Sequence, residues 1–141
     1  LLLEDTCQIL MSTKNPLAQQ EYLTLSDLSY LNLAMYPEKD DPIAAPLFKQ
    51  YFHYGTLFHL SNLENILQVV VENKAVATMP GRMLSKNSYV RDGKIKPMEI
   101  ADYQQPLNYY LLYRKKNLKS ECYKNVIRLT KQVFLQELQI N

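Results

Sequence analysis

Residues 62–83, NLENILQVVVENKAVATMPGRM, join a helix-like pattern to a strand-like pattern through a very short connection. Apolar side chains in the first half recur at the i, i+3, i+4 and i+7 spacing of a helix with one buried face, namely Leu63, Ile66, Leu67 and Val70. Residues 75–79 are typical of a short buried strand, which Pro80 and Gly81 end. A helix joined this tightly to a buried strand is half of a βαβ unit. The sequence therefore predicts an α/β fold with helices packed on a parallel sheet.

Local signals mark both ends of this predicted helix. Ser61 and Glu64 stand three residues apart, a spacing that predicts a capping box for the backbone N–H groups at the helix start. Asn73 follows the last periodic residue, and asparagine tolerates the left-handed conformation in which many helices end. We therefore expect Ser61 to cap the helix and Asn73 to end it.

The rest of the chain continues the alternation of strands and helices. Predicted strands cover residues 6–12, 31–36, 56–59 and 109–113, with a further extended segment at 95–100. Predicted helical segments cover residues 24–28, 42–54, 82–88 and 119–138. Gly55 is expected to cap the second of these helices, and Gly93 to lie in a turn with positive φ.

Size and charge exclude several classes of protein. A chain of 141 residues suits one compact domain, and its formal net charge of +2 does not by itself indicate a nucleic-acid or anionic-membrane partner. Its apolar runs are shorter than the ~20 residues that span a bilayer, and residue 1 begins no secretion signal, although Leu1 is not a natural start. Cys7 and Cys122 are expected to be buried free thiols in a reducing compartment, with one long-range disulfide as the alternative.

The sequence contains no catalytic motif that we recognise. Neither a nucleophile elbow nor a glycine-rich phosphate loop is present among its three glycines. His53 and His59 are six residues apart across a predicted helix end and strand, a spacing that does not suit zinc. The basic residues 114–116 are more typical of a solvated turn than of a nucleic-acid contact. We expect no enzymatic activity, no catalytic residues, no metal and no cofactor.

The ends of the predicted strands are the candidate binding site. In open α/β sheets, ligands bind beyond the carboxyl ends of the strands and near helix N-termini. This rule selects six residues: Tyr36, His59, Leu60, Ser61, Met79 and Pro80. Two of them have a simpler alternative role, since Ser61 is accounted for by helix capping and Met79 by core packing.

Several segments together resemble the effector-binding domain of LysR-type transcriptional regulators. The helix-to-strand stretch of residues 70–80 is similar to a landmark of that family, although Asn73 and Ala75 replace its paired glycines. Residues 4–11 resemble the family's hinge strand, residues 15–18 its proline turn, residues 25–28 a short conserved turn, and residues 110–113 with the helix after them its ending. Individually these landmarks are unspecific, but they occur in the family's order and spacing.

This resemblance implies a fold and a function. The fold would be that of type 2 periplasmic binding proteins. Residues 1–103 would form one complete Rossmann-like lobe together with the hinge strands. Residues 104–141 would supply the return strand and terminal helix of the other lobe. The family's winged helix-turn-helix, linker helix and first half-domain lie outside the resemblance. The resemblance implies a cytoplasmic regulator whose partner is a small-molecule effector, with DNA bound only through a domain absent from this chain and no membrane contact.

Two rival interpretations and one expectation about assembly remain. A solute-binding protein of a transport system would share the fold, and an α/β enzyme domain would share the architecture. The apolar face of the predicted terminal helix and the strand at 109–113 lack a sheet of their own. We therefore expect this tail to self-associate, giving a homodimer or homotetramer, or else to dock on the chain's own lobe.

Overall fold

The computed structural model describes residues 1–40, 49–84, 86–103 and 106–137, with no side-chain description for 135–137. The chain divides into two compact units. The larger unit is Thr6–Gln105, and the smaller combines Leu1–Asp5 with Pro106–Asn141. Each unit is described separately below.

Strands and helices alternate along most of the chain. The strands are β1 Leu3–Ser12, β2 Leu33–Met35, β3 Leu57–His59, β4 Ala77–Pro80, β5 Ile95–Met98 and β6 Pro106–Tyr109. The α-helices are α1 Leu25–Leu28, α2 Leu63–Val71, α3 Ser88–Arg91 and α4 Glu121–Glu137. Short 3₁₀ helices cover Pro16–Gln19, Gly81–Met83 and Lys115–Lys119. The predicted helix at residues 42–54 falls largely outside the described residues.

The parallel part of the sheet is centred on β2. β3 pairs with β2 in parallel, with Met35 opposite His59. On the other side of β2, Leu33 forms a parallel bridge to Val76, one residue before β4. Because α2 connects β3 to β4 and β2 lies between them, the predicted strand–helix–strand crossover is confirmed.

The sheet is mixed rather than wholly parallel. β1 is antiparallel both to β4, with Cys7 opposite Pro80, and to β5, with Ser12 opposite Ile95. The predicted parallel arrangement is therefore confirmed where β2 pairs with β3 and bridges to the start of β4, and it is wrong where β1 pairs with β4 and β5. An apolar run shows that both faces of a strand are buried, but it carries no information about strand direction.

Two apolar layers cover the two faces of the strands in the larger unit. Ile9 and Met11 of β1 join one cluster, while Leu10 between them joins the other, as the period of two in a strand requires. The second cluster is closed by the inner face of α2, through Ile66, Leu67 and Val70. Each such fully buried aliphatic side chain contributes about 1.5–3 kcal/mol relative to an exposed one. Because apolar layers bury both faces of these strands, their sequences are nearly continuous apolar runs.

The helix at the centre of the sequence argument begins one residue later than predicted. The N-cap is Asn62, whose Oδ1 accepts the Asn65 N–H at 2.8 Å, and not Ser61. Serine and asparagine are both favoured caps, so the periodic pattern did not distinguish the two neighbours. At the other end Asn73 has φ of 56°, which confirms its predicted left-handed conformation.

Three smaller predictions concern Gly93, Gly55 and the burial of the cysteines. The first is confirmed, and the other two are wrong. Gly93 has φ of 68°, as expected for its turn. Gly55 does not have positive φ; a Cβ there would lie 1.8 Å from the Leu31 carbonyl oxygen, so close backbone approach requires this glycine. Neither cysteine forms a disulfide, but Cys7 is only half-buried and Cys122 is exposed, whereas both were expected to be buried.

The smaller unit differs from its prediction at the strand. β6 covers Pro106–Tyr109 and pairs with β1, whereas residues 110–113 form no strand despite their strong β propensity. The Leu2 N–H donates to the Tyr109 carbonyl at 2.7 Å. A partner strand, and not the propensity of the side chains, sets the bounds of β6. Within the described ranges of the chain, none of the helices has the length and apolarity needed to cross a membrane.

Candidate functional site

All six predicted site residues lie at one edge of the sheet in the larger unit. Met35 and His59 are opposite each other where β2 and β3 end, and the Leu60 N–H donates to the Met35 carbonyl at 2.9 Å. Tyr36 follows β2, and Ser61 follows Leu60. β4 runs parallel to β2 from the Val76 bridge, so Met79 and Pro80 end at the same edge. The structure therefore brings together the three connections that the sequence selected.

This edge has an apolar base and a polar rim. Met79 is buried, and half-buried Tyr36 and Leu60 pack against the same core cluster. His59 and Ser61 are exposed. An apolar base with a few polar groups above it is the usual composition of a small-molecule site. Met79 is therefore a core residue at this edge, which is the alternative role that the sequence suggested for it.

Ser61 has a different local role from the one predicted. Since Asn62 caps α2, capping does not account for the Ser61 hydroxyl, and Ser61 is an exposed residue at the entrance to the helix. The first N–H groups of any helix lack intrahelical partners, and Asn62 satisfies one of them, that of Asn65. The start of α2 thus presents a hydroxyl beside a positively polarised helix terminus.

An ion pair at the same edge was missed by sequence reasoning. Glu38, two residues after Tyr36, accepts a hydrogen bond from Lys49 Nζ at 2.8 Å. This hydrogen bond and the Lys49 charge lower the pKa of the Glu38 carboxyl, and a smaller lowering comes from His59. Glu38 and Lys49 are eleven residues apart in different segments, so no spacing rule links them. The sequence identified the loop as charged and solvated, but it gave no sign of the pairing.

A polar cluster ties the start of α2 to α3. Gln68 Nε2 donates to the Tyr89 hydroxyl at 2.6 Å and to Glu64 Oε1 at 3.3 Å, and the Tyr89 hydroxyl donates to Glu64 Oε1. The bond from Tyr89 is the main reason that the Glu64 pKa is lowered, and the bond to Glu64 is the main reason that the Tyr89 pKa is raised. We call Glu64, Gln68 and Tyr89 the α2–α3 tie. It connects the helix that follows His59–Ser61 with the segment that follows Met79 and Pro80.

The chemistry of this edge suits recognition of a small polar molecule. It offers hydroxyls, an imidazole, a cation and a carboxylate around an apolar base. The described part of the chain contains no cluster of three or more residues suited to a metal ion. His53 is an exposed residue whose ring packs edge-on against Tyr54, with 6.2 Å between ring centroids.

The sequence matches the model of the LysR substrate binding domain over residues 1–135. A search of the curated proteins found no significant match. The match to the family model covers nearly the whole chain, including both units.

Solved structures of regulators have the same fold. A putative transcriptional regulator from Vibrio parahaemolyticus has a TM-score of 0.74 at 15% identity, over 98% of this chain and 65% of that one. The regulatory domain of MetR from N. meningitidis, a LysR family regulator, has a TM-score of 0.69 at 17% identity, over 95% of this chain and 62% of that one.

The BenM effector binding domain with its effector benzoate has a TM-score of 0.67 at 14% identity, over 96% of this chain and 62% of that one. This chain thus spans about three fifths of the length of these relatives. The mixed α/β architecture is that of type 2 periplasmic binding proteins, as expected. Together with the match over residues 1–135, it establishes that the chain belongs to the LysR substrate binding domain family.

Proposed function

We propose that this chain is the effector-sensing part of a LysR-type transcriptional regulator, and that a small molecule binds where β2, β3 and β4 end. The observation that carries the proposal is the convergence of Tyr36, His59–Ser61 and Met79–Pro80 at one edge. In this proposal the unit Thr6–Gln105 is the second lobe of the effector domain. DNA would be contacted by a separate domain of the regulator, in the cytoplasm.

A carboxylate-bearing effector suits this edge best. The BenM effector domain binds benzoate, a small carboxylate anion. The start of α2, the Ser61 hydroxyl and an N–H group of the His59 imidazole would favour an anion, while Tyr36, Leu60 and Met79 would pack on a ring. Glu38 would disfavour an anion, but its charge is already balanced by Lys49. Ligand binding acts on transcription only if the ligand prefers one arrangement of the protein over another.

The family match favours a regulator over both rival interpretations. A solute-binding protein of a transport system would share the fold, but the matched family is that of the LysR regulators. An enzyme would need a reacting group, and the sequence has no catalytic motif that would assign one. We therefore infer a binding role without catalysis.

A titration with benzoate would test the proposed site. We expect backbone ¹H–¹⁵N NMR signals from the non-proline residues of 35–38, 59–64 and 79–82 to shift as benzoate is added to the 141-residue chain. Benzamide, which has nearly the same size and no charge, should bind more weakly, because it lacks the anionic group. Ser61→Ala should weaken benzoate binding about fivefold, since one hydrogen bond contributes roughly 1 kcal/mol.

Ser29→Ala is the matched control, because Ser29 precedes β2 at the opposite end of that strand. This variant should bind benzoate as the parent chain does. The proposal would be wrong if benzoate and a panel of small carboxylic acids shifted no signal at this edge at millimolar concentration. It would also be wrong if the shifts they caused lay only elsewhere.

A further inference from the structure

The charge of this chain is divided unevenly along its length. Residues 106–141 contain seven lysines and arginines against two glutamates, so their formal net charge is +5. Residues 1–105 contain nine basic and twelve acidic residues, which gives −3. The small overall charge of +2 therefore includes a strongly basic C-terminal segment, and such an asymmetry is typical of a region that binds a polyanion.

The cations of this segment form two adjoining surfaces in the smaller unit. Four exposed cations lie at the 3₁₀ helix that ends directly before α4: Arg114, Lys115, Lys116 and Lys119. Three more are exposed on one face of α4, at the i, i+4 and i+7 spacing: Lys124, Arg128 and Lys131. These seven residues are here called the basic ridge. From Lys119 to Lys131 the ridge follows the helix for about 18 Å.

Little within the described chain neutralises the basic ridge. Among the described residues, the only ion pair of a ridge cation joins Lys124 Nζ to Glu121 Oε1 at 2.6 Å. Arg128 Nη1 donates to the uncharged Gln132 Oε1 at 3.3 Å, which orients the guanidinium and leaves its charge unbalanced. Cations at the N-terminal end of a helix are also unfavourable for the helix dipole. The basic residues just before α4 therefore do not serve the stability of that helix, and an anion from outside the chain would balance them.

Several cations in a row suit a polyanion better than a single small anion. Double-stranded DNA carries a phosphate about every 3.4 Å along each strand. Successive cations on α4 are about 4.5 to 6 Å apart along the helix axis, so each of them can reach a different phosphate. We propose that the basic ridge is a docking surface for the phosphate backbone of double-stranded DNA, which it contacts without reading the sequence.

The choice of DNA as the partner rests on the proposed function, whereas the charge argument stands without it. Recognition of the DNA sequence belongs in that function to a separate domain. The basic ridge adds contacts to the backbone near the bound site. Because the separate domain would hold the DNA close to the ridge, the local DNA concentration would be about millimolar, and a weak contact would suffice.

The composition of α4 favours DNA over an anionic membrane. A helix that binds in a bilayer surface buries an apolar face rich in Trp, Phe and Leu. The exposed large apolar side chains of the described part of α4 are Val126, Leu129 and Val133, and the chain has no tryptophan. Their contribution to membrane binding would be small, so the charge of the ridge decides the partner.

The contact should be weak and strongly dependent on salt. Non-specific DNA binding has dissociation constants of about 1–100 μM at physiological salt. Each phosphate contact contributes about −0.9 to the slope of log K against log salt concentration, so four contacts from the ridge give roughly −4. A salt slope of this size is the expected signature of the ridge.

Fluorescence anisotropy of a short labelled DNA duplex of arbitrary sequence, titrated with the 141-residue chain, tests the ridge. The double variant Arg128→Gln with Lys131→Gln should weaken binding about tenfold at about 50 mM salt. Its salt slope should be less steep by about 1.8, because two phosphate contacts are lost. Glutamine is a good helix former, so far-UV circular dichroism should show unchanged helix content.

The double variant Lys14→Gln with Arg91→Gln is the matched control. Both residues are exposed in the larger unit, and the two changes remove the same charge from the chain. This variant should bind the duplex within about twofold of the parent chain and with the same salt slope, because neither residue belongs to the ridge.

Three outcomes would overturn the proposal. One is a parent chain that does not bind the duplex at several hundred micromolar protein in low salt. Another is an equal loss of binding in the two double variants, which would assign the attraction to the overall charge. The third is tighter binding to phosphatidylserine vesicles or to single-stranded RNA than to the duplex. The benzoate titration is separate from all three, since its signals lie in the larger unit, so either proposal can fail alone.

Discussion

The two compact units bury their apolar side chains very differently. Among the described residues, the core hydrophobic side chains all belong to the larger unit except Leu3. The smaller unit instead holds most of the exposed large hydrophobic side chains: Leu1, Tyr110, Leu112, Tyr113, Val126, Leu129 and Val133. The larger unit therefore holds nearly all of the described core, whereas the smaller unit leaves most of its large apolar side chains exposed.

Matched leucine truncations give the largest test of this difference. Leu10→Ala should destabilise the protein by about 2–5 kcal/mol, because Leu10 is fully buried between β4 and β5 and its loss leaves a cavity. Leu129→Ala should change the free energy of unfolding by less than ~0.5 kcal/mol, because Leu129 is half exposed. Urea denaturation at low protein concentration measures both. Equal losses would show that the smaller unit has a core of its own.

Glycine substitution tests how tightly the larger unit is packed. All three glycines lie in that unit, and Gly55→Ala should cost about 1–3 kcal/mol or more, because its Cβ would overlap the Leu31 carbonyl. Gly93→Ala should cost about 1–2 kcal/mol, since Gly93 has positive φ but open space around it. Thermal unfolding of both variants would rank them. A harmless Gly55→Ala would mean that the backbone near Leu31 is not closely packed.

The elements predicted well from sequence are those that complete their contacts within the larger unit. The period of Leu63, Ile66, Leu67 and Val70 described α2 correctly because its partner layer lies in the same unit. The strand predicted at 109–113 has different bounds in the structure, because those bounds depend on pairing with β1. Side-chain propensity carries no information about that pairing. The directions of β1 and β5 were predicted wrongly for a similar reason. A strand with both faces buried has the same apolar pattern whether its neighbours are parallel or antiparallel.

The candidate site was predictable at the backbone level and not at the level of side-chain partners. Strand ends follow from periodicity, and the topology placed all three at one edge. The Glu38–Lys49 pair and the bond from Tyr89 to Glu64 join residues separated by 11 and 25 positions, and no local rule connects such residues. The choice between Ser61 and Asn62 as cap depended on a single hydrogen bond at 2.8 Å.

Helix caps offer a smaller comparison between the units. Asn62→Ala should cost about 1 kcal/mol, because the Asn62 side chain accepts the Asn65 N–H at 2.8 Å. Ser120→Ala, just before α4, should cost less, because the Tyr123 N–H lies 3.5 Å from the Ser120 hydroxyl, at the limit of a hydrogen bond. Chemical denaturation of each variant measures the loss. Ser61→Ala should be neutral for stability, and a loss there equal to that of Asn62→Ala would restore Ser61 as the cap.

The smallest expected effect is a pH dependence of local stability. It should change the stability of α2 in the larger unit and leave that of α4 in the smaller unit unchanged. The Tyr89 and Gln68 hydrogen bonds lower the pKa of Glu64 below its usual value of 4.5, so the folded state favours the carboxylate. The stability from this tie is therefore present above about pH 4.5 and is lost as the pH falls through the lowered pKa. The bond to Glu64, with a smaller contribution from burial, raises the pKa of Tyr89 above 10.0, so its contribution is present below pH 10 and is lost at higher pH.

Hydrogen exchange of the α2 amides at pH 6 and pH 3.5 would measure the acid limb of this effect. After correction for intrinsic exchange rates, protection at the start of α2 should fall at the lower pH in the parent chain. The fall should be smaller in Glu64→Gln, which has no carboxyl group to titrate, and in Tyr89→Phe, which has no hydroxyl to donate. Because the tie is solvent-exposed, solvent screening keeps its contribution small, and α4 should show no corresponding change. A parallel loss in α4 would instead indicate global acid unfolding, in which both units respond together and the tie has no separate role.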